Sequence, residues 1–200
     1  CSSDLKGEQK IGGETAEQLA ATAASAARTN PDWGEQLWHA LAENKAFDHV
    51  VSRRMFWHLE WKELKPGLKI WLVNELLAQV DGIEEFGGIA RLIFDHGPAD
   101  TAEANSDLVS RMLELSCRIW SAVAPRPSES KESAAEIDWT SRAINHPAGR
   151  IVEFWLRYTD KVRPDSKLSP GNWPKPLAHY FDEISEQKSY AANLGMAILA

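Results

Sequence analysis

The stretch AINHPAGRIVEFWL, residues 143–156, decides how this part of the chain folds. Pro147 disfavours helical backbone at His146, so a helix arriving from the N-terminal side should end there. Pro147 can open the next helix, because its missing N–H is not needed at the first helical position. Large apolar side chains then recur at helical spacing: Ile151, Phe154, Trp155, Tyr158 and Val162. The stretch therefore predicts two helices, with Phe154 and Trp155 of the second helix in the core.

The polar residues of the same stretch have two possible roles, a structural joint or a catalytic or metal-binding loop. In a joint, Asn145 or His146 satisfies a free backbone group, and Gly149 allows another segment to pack closely. A catalytic pair of Asn145 and His146 would need a third group to orient it, and the sequence offers none. We therefore interpret Asn145, His146, Pro147 and Gly149 as a structural joint.

Helical patterns also extend over the rest of the chain. The sequence NPDW, residues 30–33, is typical of a helix start, with Asn30 as the N-cap and Pro31 at the first helical position. No segment alternates as a strand does, so we predict an all-α fold of about ten helices without strands. The helix lengths and short connections fit either an irregular, HEAT-like α-solenoid or an orthogonal helical bundle.

Composition along the chain predicts four parts. Residues 1–13 are polar and are expected to be disordered or a tether. Residues 14–124 form a helical subdomain. Residues 125–136 contain proline, serine and charge but no apolar residue larger than alanine, which predicts a mobile linker. Residues 137–200 form a second helical subdomain, expected to be truncated at its C-terminus because an apolar helix ends there without a stop signal.

The first residue is Cys1, which leaves two interpretations open. The chain is an excised piece of a larger protein, or it is a matured lipoprotein whose Cys1 carries lipid. With Cys117 as the only other cysteine, neither a disulfide framework nor a zinc site is expected. No run of 18 apolar residues occurs, so membrane contact is expected only if Cys1 is lipidated.

Charge and motifs exclude several classes of function. The net charge of −7 argues against a nucleic-acid partner, which needs a basic surface. The sequence has six histidines but no HExxH, no G-x-S-x-G and no glycine-rich phosphate loop. His49 and His58 are nine residues apart on one predicted helix, so they should point in opposite directions. We predict no catalytic, metal-binding or cofactor-binding residue and no cofactor.

The nine tryptophans exceed what a core of this size needs. Trp61, Trp139 and Trp173 fall at predicted helix ends or in loops rather than within an apolar stripe. They are our candidates for a protein interface. The alternative is that each ring packs locally over a helix end.

Two segments carry a resemblance to a known group of proteins. NPDWGEQLWHALAENKAFDHVV (30–51) and INHPAGRIVEFWL (144–156) resemble patterns of the helical region C-terminal to sirtuin-like, NAD-hydrolysing domains in bacterial antiphage systems. They cover about 35 residues, and their order and spacing also fit. The chain departs from the usual pattern near Phe47, where a Trp-Asp pair is expected. The catalytic domain is not in this chain, so the resemblance implies a helical sensor, scaffold or assembly module.

Three functions are consistent with the sequence. The first is a non-catalytic scaffold or sensor module of a larger cytoplasmic defence protein, whose partners are other domains of that protein or a protein trigger. The second is a periplasmic helical lipoprotein anchored through Cys1. The third is an enzyme whose site is assembled from separate helices, which a cleft gathering histidine and carboxylates would favour.

Overall fold

Helices make up almost all of the regular structure in the computed structural model of this chain. The structure describes residues 10–11, 14–96, 106–125, 138–162, 173, 175–186 and 189–200. Across these ranges there are ten α-helices, which confirms the predicted all-α class. The expectations for Cys1 and for nearly all of the predicted linker lie outside the described residues.

The helices run in chain order as follows: α1 Ala16–Thr29, α2 Pro31–Glu43, α3 Val50–His58, α4 Pro66–Gln79, α5 Gly87–His96, α6 Ser106–Val123, α7 Trp139–Asn145, α8 Pro147–Val162, α9 Ala178–Glu186 and α10 Tyr190–Leu199. Short 3-10 turns occupy Trp61–Glu63 and Val80–Gly82.

One short strand pair precedes the first helix. β1 (Lys10–Ile11) pairs antiparallel with β2 (Glu14–Thr15). The sequence analysis predicted no strand, so this pair is a local departure from that prediction. Two residues per strand are too few for an alternating pattern, and the pair leaves the all-α class unchanged.

Helix contacts divide the chain into two compact units, Cys1–Ile89 and Ala90–Ala200. The division falls inside α5 and not in the predicted linker at residues 125–136. The reason is that α6 packs against α8, so helices from both sides of that segment share one core. The segment at residues 125–136, which composition predicted to be a linker between two subdomains, therefore connects two parts of the same unit.

In the first unit, α1 packs against both α2 and α3. Its core includes Trp38, Phe47 and Phe56, whose rings lie 5.2 to 5.8 Å apart in pairs. The helical pattern of the sequence predicts that α3 begins near Phe47, but it begins at Val50 with His49 as its N-cap. Phe47 is fully buried within the preceding turn, where Lys45 has a φ of 52°. Burial in the turn thus accounts for an apolar residue that the pattern had assigned to a helix.

In the second unit, α10 packs against α7, α8 and α9, while α6 packs against α8. Helices that are distant in sequence therefore touch, as they do in a bundle. In a solenoid each repeat contacts only its neighbours. The packing within this unit is that of an irregular helical bundle.

Candidate functional site

A cleft in the first unit is lined by residues from α1, α2, α3 and α4 and from the segment between α3 and α4, and we call it the α1–α4 cleft. Its deep part is apolar and includes Trp38, Met55 and Leu68, which are each less than a tenth exposed. Its rim is polar and carries charged or ionisable side chains from four elements: Arg28, Glu35, His58, Glu60, Glu63 and Lys65.

Small residues create the cleft. The side of α1 that lines it contributes Ala24 and Ala27, and α2 contributes Gly34. A Cβ on Gly34 would lie only 2.9 Å from the Cβ of Ala27, so the two helices approach closely at this point. Beyond this contact the alanines are too short to fill the space between the helices. An apolar depression therefore stays open beside the α1–α2 contact.

Lys65 closes one side of the rim with two ion pairs. Its Nζ donates to Asp32 Oδ1 at 3.0 Å and to Glu35 Oε2 at 2.9 Å. Hydrogen bonds to Glu35 and Asp32 raise the pKa of Lys65 above its ordinary value. Pro66 begins α4 at the next residue, which fixes the position of Lys65 opposite the first turn of α2.

His58 belongs to a second polar group at the rim. Its Nε2 lies 2.7 Å from Oε1 of Glu17, and the other oxygen of Glu17 lies 3.6 Å from Nε of Arg54. Glu17 is in the first turn of α1, whereas His58 ends α3. The pair thus connects two helices and fixes one ring nitrogen of His58.

The cleft is the size of one side chain. Its volume is about 70 Å³. A bound water needs about 10–15 Å³ of such space, so about five to seven waters would fill it. Sites for cofactors and drug-sized ligands are larger, at about 300–1,000 Å³. A leucine, methionine or phenylalanine side chain is the kind of group that fits.

The rim also gathers groups that can do acid–base chemistry. His58 and the carboxylates of Glu35, Glu60 and Glu63 come from different elements. The lining includes no serine, threonine, cysteine or tyrosine, so it offers no hydroxyl or thiol nucleophile. Within the described ranges no group of three or more His, Cys, Asp and Glu residues is placed to hold a metal ion.

The three tryptophans chosen as interface candidates all pack locally. Trp61 is fully buried, so it offers no surface to a partner, and Lys69 lies 5.7 Å from the centre of its ring. Trp139 and Trp173 are half-buried, against Tyr190 at 5.7 Å and Phe181 at 4.5 Å, respectively.

The exposed tryptophan is a different one, Trp33, at 39%. The sequence analysis missed it because its spacing matches the apolar face of α2. Only the neighbouring helices determine which part of that face is covered.

The four joint residues lie where α7 ends and α8 begins. The Asn145 side chain donates to the Ser141 carbonyl at 2.9 Å. Nδ1 of His146 accepts the N–H of Ala148 at 3.1 Å, which caps the start of α8. Pro147 is the first residue of α8, and Gly149 lies against the backbone of Ala143.

A thiol and a phenol meet in the second unit. Cys117 is half-buried, and burial raises the pKa of its thiol, opposed by hydrogen bonding to Tyr180 and Ser116. Burial likewise raises the pKa of Tyr180. Both groups are therefore neutral near pH 7, and the thiol is not activated as a nucleophile.

Comparison with known proteins gives no relative for this chain. No family model matches it, and no curated protein or solved structure is significantly similar to it. Among the helices that the structure describes, none has the length and apolar character needed to cross a membrane.

Sequence reasoning did not find the α1–α4 cleft. The available signal was the run of small residues on α1 together with Gly34 in the motif NPDWG. That signal indicates close helix contact but does not say which helix approaches or what space remains beside it.

Proposed function

We propose that this chain is a helical binding module, a scaffold or sensor, that receives an apolar side chain of a protein partner in the α1–α4 cleft. The observation that supports this is an open apolar cleft of side-chain size with a charged rim. Interfaces are typically organised in this way, with an apolar anchor in a pocket and polar groups around it.

The biological context of the proposal comes from the sequence resemblance. The first of the two resembling segments, residues 30–51, supplies Pro31, Gly34, Glu35 and Trp38 to the cleft lining. We therefore place the module in a cytoplasmic bacterial defence protein. Its partner is another domain of the same polypeptide or a protein trigger.

The energetics of one anchor set the requirements of the test. Full burial of one leucine side chain contributes about 1.5–3 kcal/mol. Taken alone, that contribution corresponds to a dissociation constant weaker than about 1 mM. A useful assay must therefore detect weak binding at a known position.

Methyl NMR of the three methionines meets this requirement. Met55 lines the cleft, Met112 is buried in the second unit, and Met196 is exposed on α10. Titration with the neutral peptide acetyl-Gly-Ser-Leu-Ser-Gly-amide should shift the methyl signal of Met55 and leave the other two in place. The same peptide with alanine in place of leucine is the ligand control.

Two variants test whether the cleft itself is responsible. Ala24→Leu places a larger side chain in the cleft and should abolish the Met55 response. Ala26→Leu adds the same side chain at an exposed position of α1 outside the cleft lining and should leave the response intact. A Met55 signal that ignores leucine, methionine and phenylalanine peptides alike would contradict the proposal.

A second candidate function is supported by the pair formed by His58 and Glu17. A carboxylate that orients a histidine beside a cleft is an arrangement found in acid–base catalysis. Hydrolysis of NAD by this chain alone, lost in His58→Gln but retained in His179→Gln, would favour an enzyme over the binding module. His179 is exposed on α9 and serves as the matched control.

A further inference from the structure

The charges at the rim of the α1–α4 cleft differ in how far they are already paired. Lys65 binds two carboxylates, those of Asp32 and Glu35, so this group carries a net charge of −1. His58 and Arg54 both lie against Glu17. These side chains therefore already have oppositely charged or hydrogen-bonding partners within the chain.

Two carboxylates at the rim are left without such a partner. Glu60 and Glu63 are exposed and line the cleft, and their carboxylates make no ion pair or hydrogen bond within the described ranges. Glu60 directly precedes the 3-10 turn that follows α3, and Glu63 is the last residue of that turn. Lys62 is on the same turn, but it is not among the lining residues.

Arg28 is the rim cation that has no side-chain partner among the residues that the structure describes. It lies in the last turn of α1, where the free carbonyl groups carry partial negative charge and favour a cation. Its charge is thus partly compensated by its own helix. The two acidic groups near the 3-10 turn therefore dominate the uncompensated charge at the rim.

We infer that the partner segment entering the cleft carries a lysine or arginine next to its apolar residue, and that Glu60 and Glu63 bind this positive charge. The inference rests on the proposed function, because it takes an apolar side chain as the occupant of the cleft. The volume of the cleft limits the apolar part of the partner segment to one side chain. The negative charge at the rim favours a positively charged residue beside that side chain.

Three peptides on one scaffold test the inference. They are acetyl-Gly-Lys-Leu-Lys-Gly-amide, its counterpart with glutamate at both lysine positions, and the neutral serine peptide. Exposed ion pairs are individually weak, so two carboxylates should favour the lysine peptide over the glutamate peptide by about threefold to tenfold at low salt. The Met55 methyl shift gives each affinity, and added salt should reduce the preference.

The double variant Glu60→Gln/Glu63→Gln should remove the preference while the neutral leucine peptide still binds. The control Glu43→Gln/Glu114→Gln makes the same change in net charge at exposed positions outside the lining and should keep the preference.

Equal or tighter binding of the glutamate peptide, or a preference that survives in Glu60→Gln/Glu63→Gln, would overturn the inference and leave the binding module standing. Binding of none of the peptides would overturn both. A Met55 shift that depends on protein concentration without peptide would assign the cleft to a second copy of the chain and also overturn the inference.

Discussion

Replacing Trp155 by alanine should lower the free energy of unfolding of the second unit by about 3–5 kcal/mol. The ring of Trp155 is fully buried in α8. Its centre lies 5.5 Å from that of Trp120, 5.1 Å from that of Tyr180 and 6.0 Å from that of Phe181. These rings come from α6 and α9, so the substitution leaves a cavity where three helices meet.

A buried hydrogen bond adds a second, separable contribution. The indole Nε1 of Trp155 donates to Oγ of Ser116 at 2.8 Å, and Ser116 donates to the Leu113 carbonyl at 2.6 Å. Ser116→Ala leaves the indole N–H buried without an acceptor, at an expected cost of about 1–3 kcal/mol. Trp155→Phe keeps much of the ring but loses the N–H, at an expected cost of about 1–2 kcal/mol.

The assay is urea unfolding followed by the methyl signal of Met112, which is fully buried in α6 and so reports on the second unit. Trp155→Phe, Ser116→Ala and the double variant form a cycle whose coupling should be about 0.5–1.5 kcal/mol. Ile144→Ala, at a side chain 47% exposed in the same unit, is the control and should change stability by less than about 1 kcal/mol.

Two results would refute the reasoning. If Trp155→Ala unfolds at the same urea concentration as the parent chain, the apolar stripe of α8 faces solvent. If Ser116→Ala costs as much in the Trp155→Phe background as in the parent, the indole and the hydroxyl are not bonded to each other.

Two further predictions concern the α7–α8 region. Gly149→Ala would put a Cβ 2.6 Å from the carbonyl carbon of Ala143, so we expect a loss of at least about 1–3 kcal/mol in unfolding free energy. The control is Gly67→Ala in the first turn of α4, where a Cβ meets nothing within 4 Å, and this change should be neutral or stabilising. A Gly149→Ala chain that is as stable as its parent would contradict the close packing of Gly149 on Ala143. The exposed carboxylate of Asp138 caps α7, and hydrogen bonds from Ser141 lower its pKa below 3.8. The stabilising effect of the Asp138 carboxylate is therefore complete above that pH and is lost as the pH falls through the lowered pKa. The measurement is the melting temperature from neutral to acid pH. Asp138→Asn is the control and should lack the decrease that comes from protonation of Asp138.

Local rules predicted several parts of this fold from the sequence. Asn30 caps α2 and Pro31 is its first residue, as the NPDW motif indicated. A helix ends at Asn145 and another begins at Pro147, as the proline predicted. These features depend on backbone groups within a few residues, whose chemistry can be read along the chain.

Burial of the aromatic residues was predictable only where a full apolar stripe was present. Phe154 and Trp155 lie in the core as their spacing indicated, because such a stripe must be covered by some neighbouring helix. Trp33 and Trp61 do not follow this rule. Trp33 belongs to the apolar face of α2 but is exposed. Trp61 lies in the 3-10 turn before α4, outside any apolar stripe, but is fully buried.

Helix pairing decided the features on which the functional proposal depends. Packing of α6 on α8 places both helices in the second unit, and no local signal marks the division between Ile89 and Ala90. The α1–α4 cleft exists because Gly34 meets Ala27 while the residues beside them are too short to fill the gap. The sequence by itself determined where helices begin and end, since capping and proline geometry are local. Only the tertiary structure decided which faces are covered, since burial depends on contacts between helices that are distant in the chain.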